Sequence, residues 1–147
     1  MRRRINDGLR RVPTQVVFAG GVAWAGALVW WAAVGRLGVD PVAALTDRTG
    51  MLALQLLVVG LWLTPVQRRT GLRVGRFKRV VGLSAFFFAA LHLAIWVSLD
   101  LGFSWGTALS EVAKRTFLLV GMGAFVLLVP LALTSFNAAI RALDGVR

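Results

Sequence analysis

The sequence of 147 residues contains no cysteine, no tyrosine and a single histidine, His92. Without cysteine there is no disulfide, no iron–sulfur cluster and no thiolate metal site. Without tyrosine, phenolic acid–base chemistry is excluded, and any imidazole chemistry must pass through His92. Acidic residues are scarce too, with six Asp and Glu against 17 Lys and Arg and a net charge of +11. All six lie outside the apolar core of the chain's long hydrophobic runs, so a proton relay or ion-coupled transport site has no intramembrane carboxylate to work with.

What is present is hydrophobic surface. Apolar residues make up 58% of the chain, mean hydropathy is +0.75, and the 16% of residues that are charged are bunched. A soluble domain of this size needs a charged shell, whereas long uncharged stretches between charge clusters are a membrane distribution. Uncharged runs extend over 12–34, 49–67, 80–99 and 116–140. The shortest, Thr49 to Gln67, holds 19 residues, close to the roughly 20 helical residues that cross a bilayer. Only helices satisfy their own backbone hydrogen bonds singly in lipid. The expected fold is therefore all-α: a polytopic membrane helix bundle of four transmembrane helices at about 14–34, 49–66, 80–98 and 116–134, within one domain spanning 1–147. The first run is too long for a secretory signal core and reads as a retained span.

The loops predict orientation. Arg2, Arg3, Arg4, Arg10 and Arg11 precede the first run, and Arg68, Arg69, Arg73, Arg76, Lys78 and Arg79 separate the second from the third. The other two loops mix signs: Arg36 and Arg48 with Asp40 and Asp47, then Lys114 and Arg115 with Asp100 and Glu111. Basic loops stay in the cytoplasm, which places both termini inside a bacterial inner (cytoplasmic) membrane. The same charge suits anionic lipids, and no nucleic-acid partner is expected, since the basic residues flank apolar runs rather than line an amphipathic helix. Gly35, Gly38 and Pro41 mark the first external turn, and Thr64-Pro65 is expected to close the second span. Ala19, Ala23 and Ala27 suggest a close-packing ridge on the first helix, Pro130 a kink in the fourth, and Gln55, Thr64, Ser84, Thr134 and Ser135 interhelical hydrogen bonds.

His92 lies in the third span, nearer its external end. An ionisable side chain at that depth is a functional candidate, although a neutral histidine bonded to a neighbouring helix is an equal alternative. Phe88, Ala89, Ile95 and Trp96 share its helical stripe, with Ala85 one turn further in. Small alanines beside aromatic walls suit a flat apolar macrocycle whose iron takes axial imidazole, and they also suit ordinary helix packing. Arg68, Arg69, Lys78 and Arg79 could contact a haem propionate or a flavin phosphate, though topology and lipid already account for them.

Five motifs occur in order: Thr49-Gly50-x-x-Ala53-Leu54, Thr64-Pro65-x-x-Arg68, Arg79-x-x-Gly82-Leu83-x-x-Phe86, Leu91-His92 and Leu131-Ala132-Leu133-Thr134-Ser135. Together they resemble the MsrQ (YedZ) family, the haem-binding membrane subunits of the periplasmic methionine sulfoxide reductase system, in the ferric-reductase-like transmembrane group. The resemblance covers roughly Gly35 to Arg141. It implies haem b, with His92 as its axial and metal ligand. FMN is a further cofactor in some members. It also implies electron transport from quinol or a flavin reductase to MsrP, a periplasmic molybdoprotein reductase that repairs oxidised methionine. The chain would then be a non-catalytic subunit of an oxidoreductase system.

Two departures stand out. The family has six spans, with further histidines in a Trp-x-x-Leu-His segment and the helix after it, where this chain stops at Arg147. Lys114-Arg115-Thr116-Phe117 also replaces the usual Lys-Arg-Pro-Tyr. With one histidine a bis-imidazole haem cannot form within one copy. The expectation is thus the N-terminal part of such a subunit, a homodimer in which a second copy supplies its own His92, or a haem-free remnant acting as a binding or assembly partner.

Overall fold

The computed structural model describes residues 14–71 and 75–144, with side chains described except at 14, 75, 76 and 134–144. The N-terminal arginines, Arg73, and the side chains of Arg76, Thr134 and Ser135 therefore lie outside the described residues. The described residues form five α-helices in order: α1 (Thr14–Ala33), α2 (Pro41–Thr70), α3 (Gly75–Ile95), α4 (Trp105–Lys114) and α5 (Thr116–Asp144). A π-helical turn, Trp96–Asp100, extends α3. There is no strand among the described residues. Among the described residues four helices are long and apolar enough to cross a membrane, over Gln15–Ala33, Pro41–Thr70, Phe77–Asp100 and Thr116–Leu133.

Local chemistry sets the helix ends. Gly35 and Gly38, at φ 68° and 106°, make the turn after α1. Asp40 then caps α2, its carboxylate accepting the Ala43 N–H at 3.0 Å, and Pro41 occupies the first turn, where no N–H is needed. α2 thus starts well before the uncharged window at Thr49, carrying Asp47 and Arg48 exposed on helix rather than in a loop. Nor does Thr64-Pro65 close it. The helix runs through Pro65 and ends at Gly71, whose left-handed φ of 70° lets its N–H reach the Gln67 carbonyl at 2.9 Å. At 30 residues α2 is about 45 Å long, well over the hydrocarbon thickness, so its charged ends project past it.

The segment 100–115, read from sequence as loop, contains α4. The π-helical turn ends with the Leu101 N–H on the Trp96 carbonyl (3.0 Å) and the Phe103 N–H on the Val97 carbonyl (2.9 Å). Gly102 and Phe103 both take left-handed conformations, φ 55° and 62°. At Phe103 this costs roughly 1–2 kcal/mol relative to right-handed backbone.

α3 is the hub, packed against α1, α2 and α5. One cluster joins Ala25, Ala53 and Phe88, flanked by Leu52, Leu56, Phe87 and Leu91. A second joins Leu28, Leu45 and Ile95, flanked by Trp31 and Leu37. Phe86 stacks on Phe125 of α5 at 5.6 Å. The contact edge of α1 is Gly21, Ala25 and Leu28, while Ala19 and Ala23 face outward and Ala27 is half-buried. The alanine ridge expected at 19, 23 and 27 is displaced because Phe88 needs small residues opposite, and its ring lies 3.6 Å from where a Gly21 Cβ would stand. Gln55 and Thr64 are exposed, and hydroxyls such as those of Thr46 and Thr49 bond back to their own helix.

Ala85 is fully buried at this hub, whereas Ala94 on the same helix is exposed. Ala85→Leu is expected to cost about 1–3 kcal/mol by overpacking, with Ala94→Leu near neutral. Reversible unfolding in mixed micelles measures both, and equal effects would contradict α3 as the packing centre.

Candidate haem-ligand site

The site begins with one hydrogen bond. His92 Nδ1 lies 2.8 Å from the backbone carbonyl of Thr46, joining α3 to α2. A carbonyl can only accept, so Nδ1 carries the proton. In the uncharged ring this is the Nδ1–H tautomer, whose lone pair sits on Nε2, and Nε2 makes no hydrogen bond to the described residues. A metal-binding histidine is oriented in the same way, donating its other ring N–H to a carbonyl.

Two residues that sequence reasoning passed over build this contact. Thr46 falls in the charged segment that the sequence predicts as an external loop, and the capped start of α2 at Pro41 makes it helical instead. Its carbonyl sits beside the buried Thr49, whose hydroxyl lies 2.8 Å from the Leu45 carbonyl and 3.0 Å from that of Thr46. Gly50 supplies the space. A Cβ there would stand 2.9 Å from both Cε1 and Nδ1 of His92. The signal for Gly50 was already in the sequence, as the second residue of the first motif.

The other candidates are dispersed. Phe88 is buried in the core between α1 and α2, and Ala89 packs at the edge of that cluster. Trp96 falls on the π-helical turn and lines a separate cleft of about 290 Å³ with Asp100, Glu111, Arg115 and Phe117. Neither Phe88 nor Ala89 lines that cleft. In it Arg115 Nε pairs with Glu111 Oε2 at 2.7 Å. Arg68 and Arg69 are exposed at the end of α2, and Lys78 (half-buried) and Arg79 (exposed) sit at the start of α3. From Arg79 to His92 is about 20 Å along the helix axis. The basic group therefore belongs to the opposite membrane surface from the end that His92 approaches.

The donor set fits one axial position of a haem: an imidazole oriented through Nδ1, whose other nitrogen, Nε2, is the one a metal would take. Among the described residues no cluster of three or more His, Cys, Asp or Glu forms an alternative metal site.

Gly50→Ala is expected to push the imidazole off the Thr46 carbonyl at a cost of about 1–3 kcal/mol. Because the chain has one histidine, 15N-histidine NMR reads a single ring. The Nδ1–H signal should dominate in the parent and be lost in the variant. An unchanged tautomer would show that the ring is not held by this contact.

Residues 49–143 match the family described as ferric reductase like transmembrane component. The chain is 45% identical over 116 residues to the protein-methionine-sulfoxide reductase heme-binding subunit MsrQ of Xanthomonas axonopodis pv. citri, covering 78% of this chain and 53% of that one. It is 42% identical over 121 residues to the protein of the same description from Ralstonia nicotianae, covering 82% and 56%. For that of Caulobacter vibrioides the figures are 44% over 117 residues, covering 79% and 54%. The chain spans about half the length of these curated relatives. No solved structure matches it. With the family's region running from the Thr49-Gly50 motif beside the imidazole to near the end of α5, the chain belongs to the ferric-reductase-like transmembrane family and, within it, to the MsrQ family.

Proposed function

We propose that this chain is a haem-binding part of a membrane redox subunit, with His92 Nε2 as an axial ligand of a b-type haem. The observation that carries the proposal is the Nδ1···Thr46 carbonyl bond, which leaves an oriented lone pair at Nε2. Bound haem would supply one-electron redox chemistry, with its potential tuned by the ligand and the apolar surroundings. The protein's own contribution is to hold the ring in one tautomer, exclude water from it through the packed α2–α3 contact, and fix its depth.

Electrons would pass from the quinone pool or a flavin on the cytoplasmic side to an MsrP-like molybdoprotein on the periplasmic side. The basic loop charges support an inner-membrane orientation with both termini cytoplasmic. Arg68, Arg69, Lys78 and Arg79 then face the cytoplasm, where they suit an anionic lipid headgroup or the phosphate of FMN. Their distance from His92 makes contact with the propionates of a haem held there a poor fit. A second haem ligand would come from sequence beyond these four spans or from the His92 of a second copy. The single histidine also supports the rival reading, a haem-free chain that serves as a binding partner.

A reduced-minus-oxidised absorbance spectrum of the haem-supplied protein tests the assignment. Sharp b-type bands in the parent and their loss in His92→Ala are expected. Absence of bands in both would sink the haem reading and leave the binding-partner one.

Sidedness has its own test, helped by the lack of native cysteine. In intact spheroplasts an impermeant maleimide should label Val39→Cys and spare Arg69→Cys. The reverse pattern would invert the topology.

A further inference from the structure

Among the described residues α4 is the one α-helix too short to span, and its sequence is two-faced. At helical spacing Ala108, Val112, Trp105, Leu109 and Ala113 form a continuous apolar arc, and Ser110, Lys114 and Thr107 lie opposite. Packing against α5 uses only one edge of that arc: Ala108 is buried and Val112 half-buried, while Trp105 is 70% and Leu109 75% exposed. The remaining apolar face has no protein partner among the described residues.

Its position says what covers it. α4 starts five residues after the π-helical turn that ends the third span and stops two residues before α5 begins, with Arg115 alone between them. Both its ends are therefore tied to the same end of two membrane-crossing helices, and its contact with α5 lays it beside them. Just before it, Phe103 is 65% exposed and held there by a left-handed backbone that a bulky residue rarely adopts. Phe103, Trp105 and Leu109 together make an aromatic and aliphatic ledge at the level where aromatic side chains meet headgroups.

We infer that α4 is an interfacial helix: its Trp105–Leu109 face, with Phe103, is seated in the headgroup–acyl boundary of the bilayer, and its Thr107–Lys114 face is in water. This rests on the four membrane spans and is independent of haem binding. By holding α4 down, the lipid contact also fixes the Glu111–Arg115 wall of the cleft that Trp96 lines.

The test exploits the cysteine-free chain. Spin labels are placed singly through Trp105→Cys, Leu109→Cys and Lys114→Cys in protein reconstituted into lipid nanodiscs, with helix content checked by circular dichroism. The ratio of oxygen to water-soluble nickel accessibility is expected to be several-fold higher at 105 and 109 than at 114, as it is for labels at the lipid boundary. Equal water accessibility at all three sites would overturn the inference. Exclusion of both relaxants at 105 and 109 would also overturn it, and would assign the face to a protein partner or a second copy.

Discussion

The arrangement depends on the hydrogen bond between His92 Nδ1 and the Thr46 carbonyl. A polar side chain inside a bilayer must find a partner, and a backbone carbonyl already engaged in its own helix still has a second lone pair to offer. Reaching it requires the imidazole to lie almost on the α2 backbone, which in turn requires Gly50. Thr46 must also be helical, and that follows from Asp40 and Pro41 starting α2 eight residues before the uncharged window. A capping residue in an extramembrane turn thus fixes the chemistry of a half-buried ring held between two helices.

Packing of the bundle has a different logic from a soluble core. Lipid is as apolar as leucine, so helices gain little by hiding hydrophobic surface and associate through close fit. That is why few residues are buried, why those few include Ala25, Ala53 and Ala85, and why Trp30, Trp62 and Leu127 can stay exposed. α3 carries a large side chain in each contact: Phe88 against the Gly21–Ala25 edge of α1, Phe86 stacked on an equal partner, Phe125, and His92 against Gly50.

Charge bunching made the four spans legible in the sequence, because an uncharged stretch of bilayer length has few other uses. Helix ends were less legible. Asp47 and Arg48 bound the uncharged window, yet charge excludes only hydrocarbon, and α2 projects beyond it. Thr64-Pro65 has the pattern of a stop, yet a proline near the end of a long helix forfeits one backbone bond without breaking it. α4 escaped because its charges and brevity resemble a loop, although Trp105, Ala108, Leu109 and Val112 already carried the helical period. The stripe around His92 was read as one face of a single helix. What neighbours it was set by α1 and α2, which no periodicity within α3 can reveal. Hence Phe88 went to the core and Trp96, turned by the π-helical insertion, to the cleft.

From sequence, a packing histidine and a ligand histidine looked like alternatives. The geometry removes the opposition, because imidazole has two nitrogens and the helix contact uses one. Had Nε2 bonded to Thr46, the remaining nitrogen would be Nδ1, close to its own backbone and a poorer donor to a bulky group. With Nδ1 committed instead, packing chooses the tautomer, locks the ring against rotation, and leaves the outer nitrogen with its lone pair. The same contact would persist whether or not a metal is present. A chain lacking a second ligand would therefore keep its α2–α3 join intact, which lets loss of ligation and loss of fold be told apart at this residue.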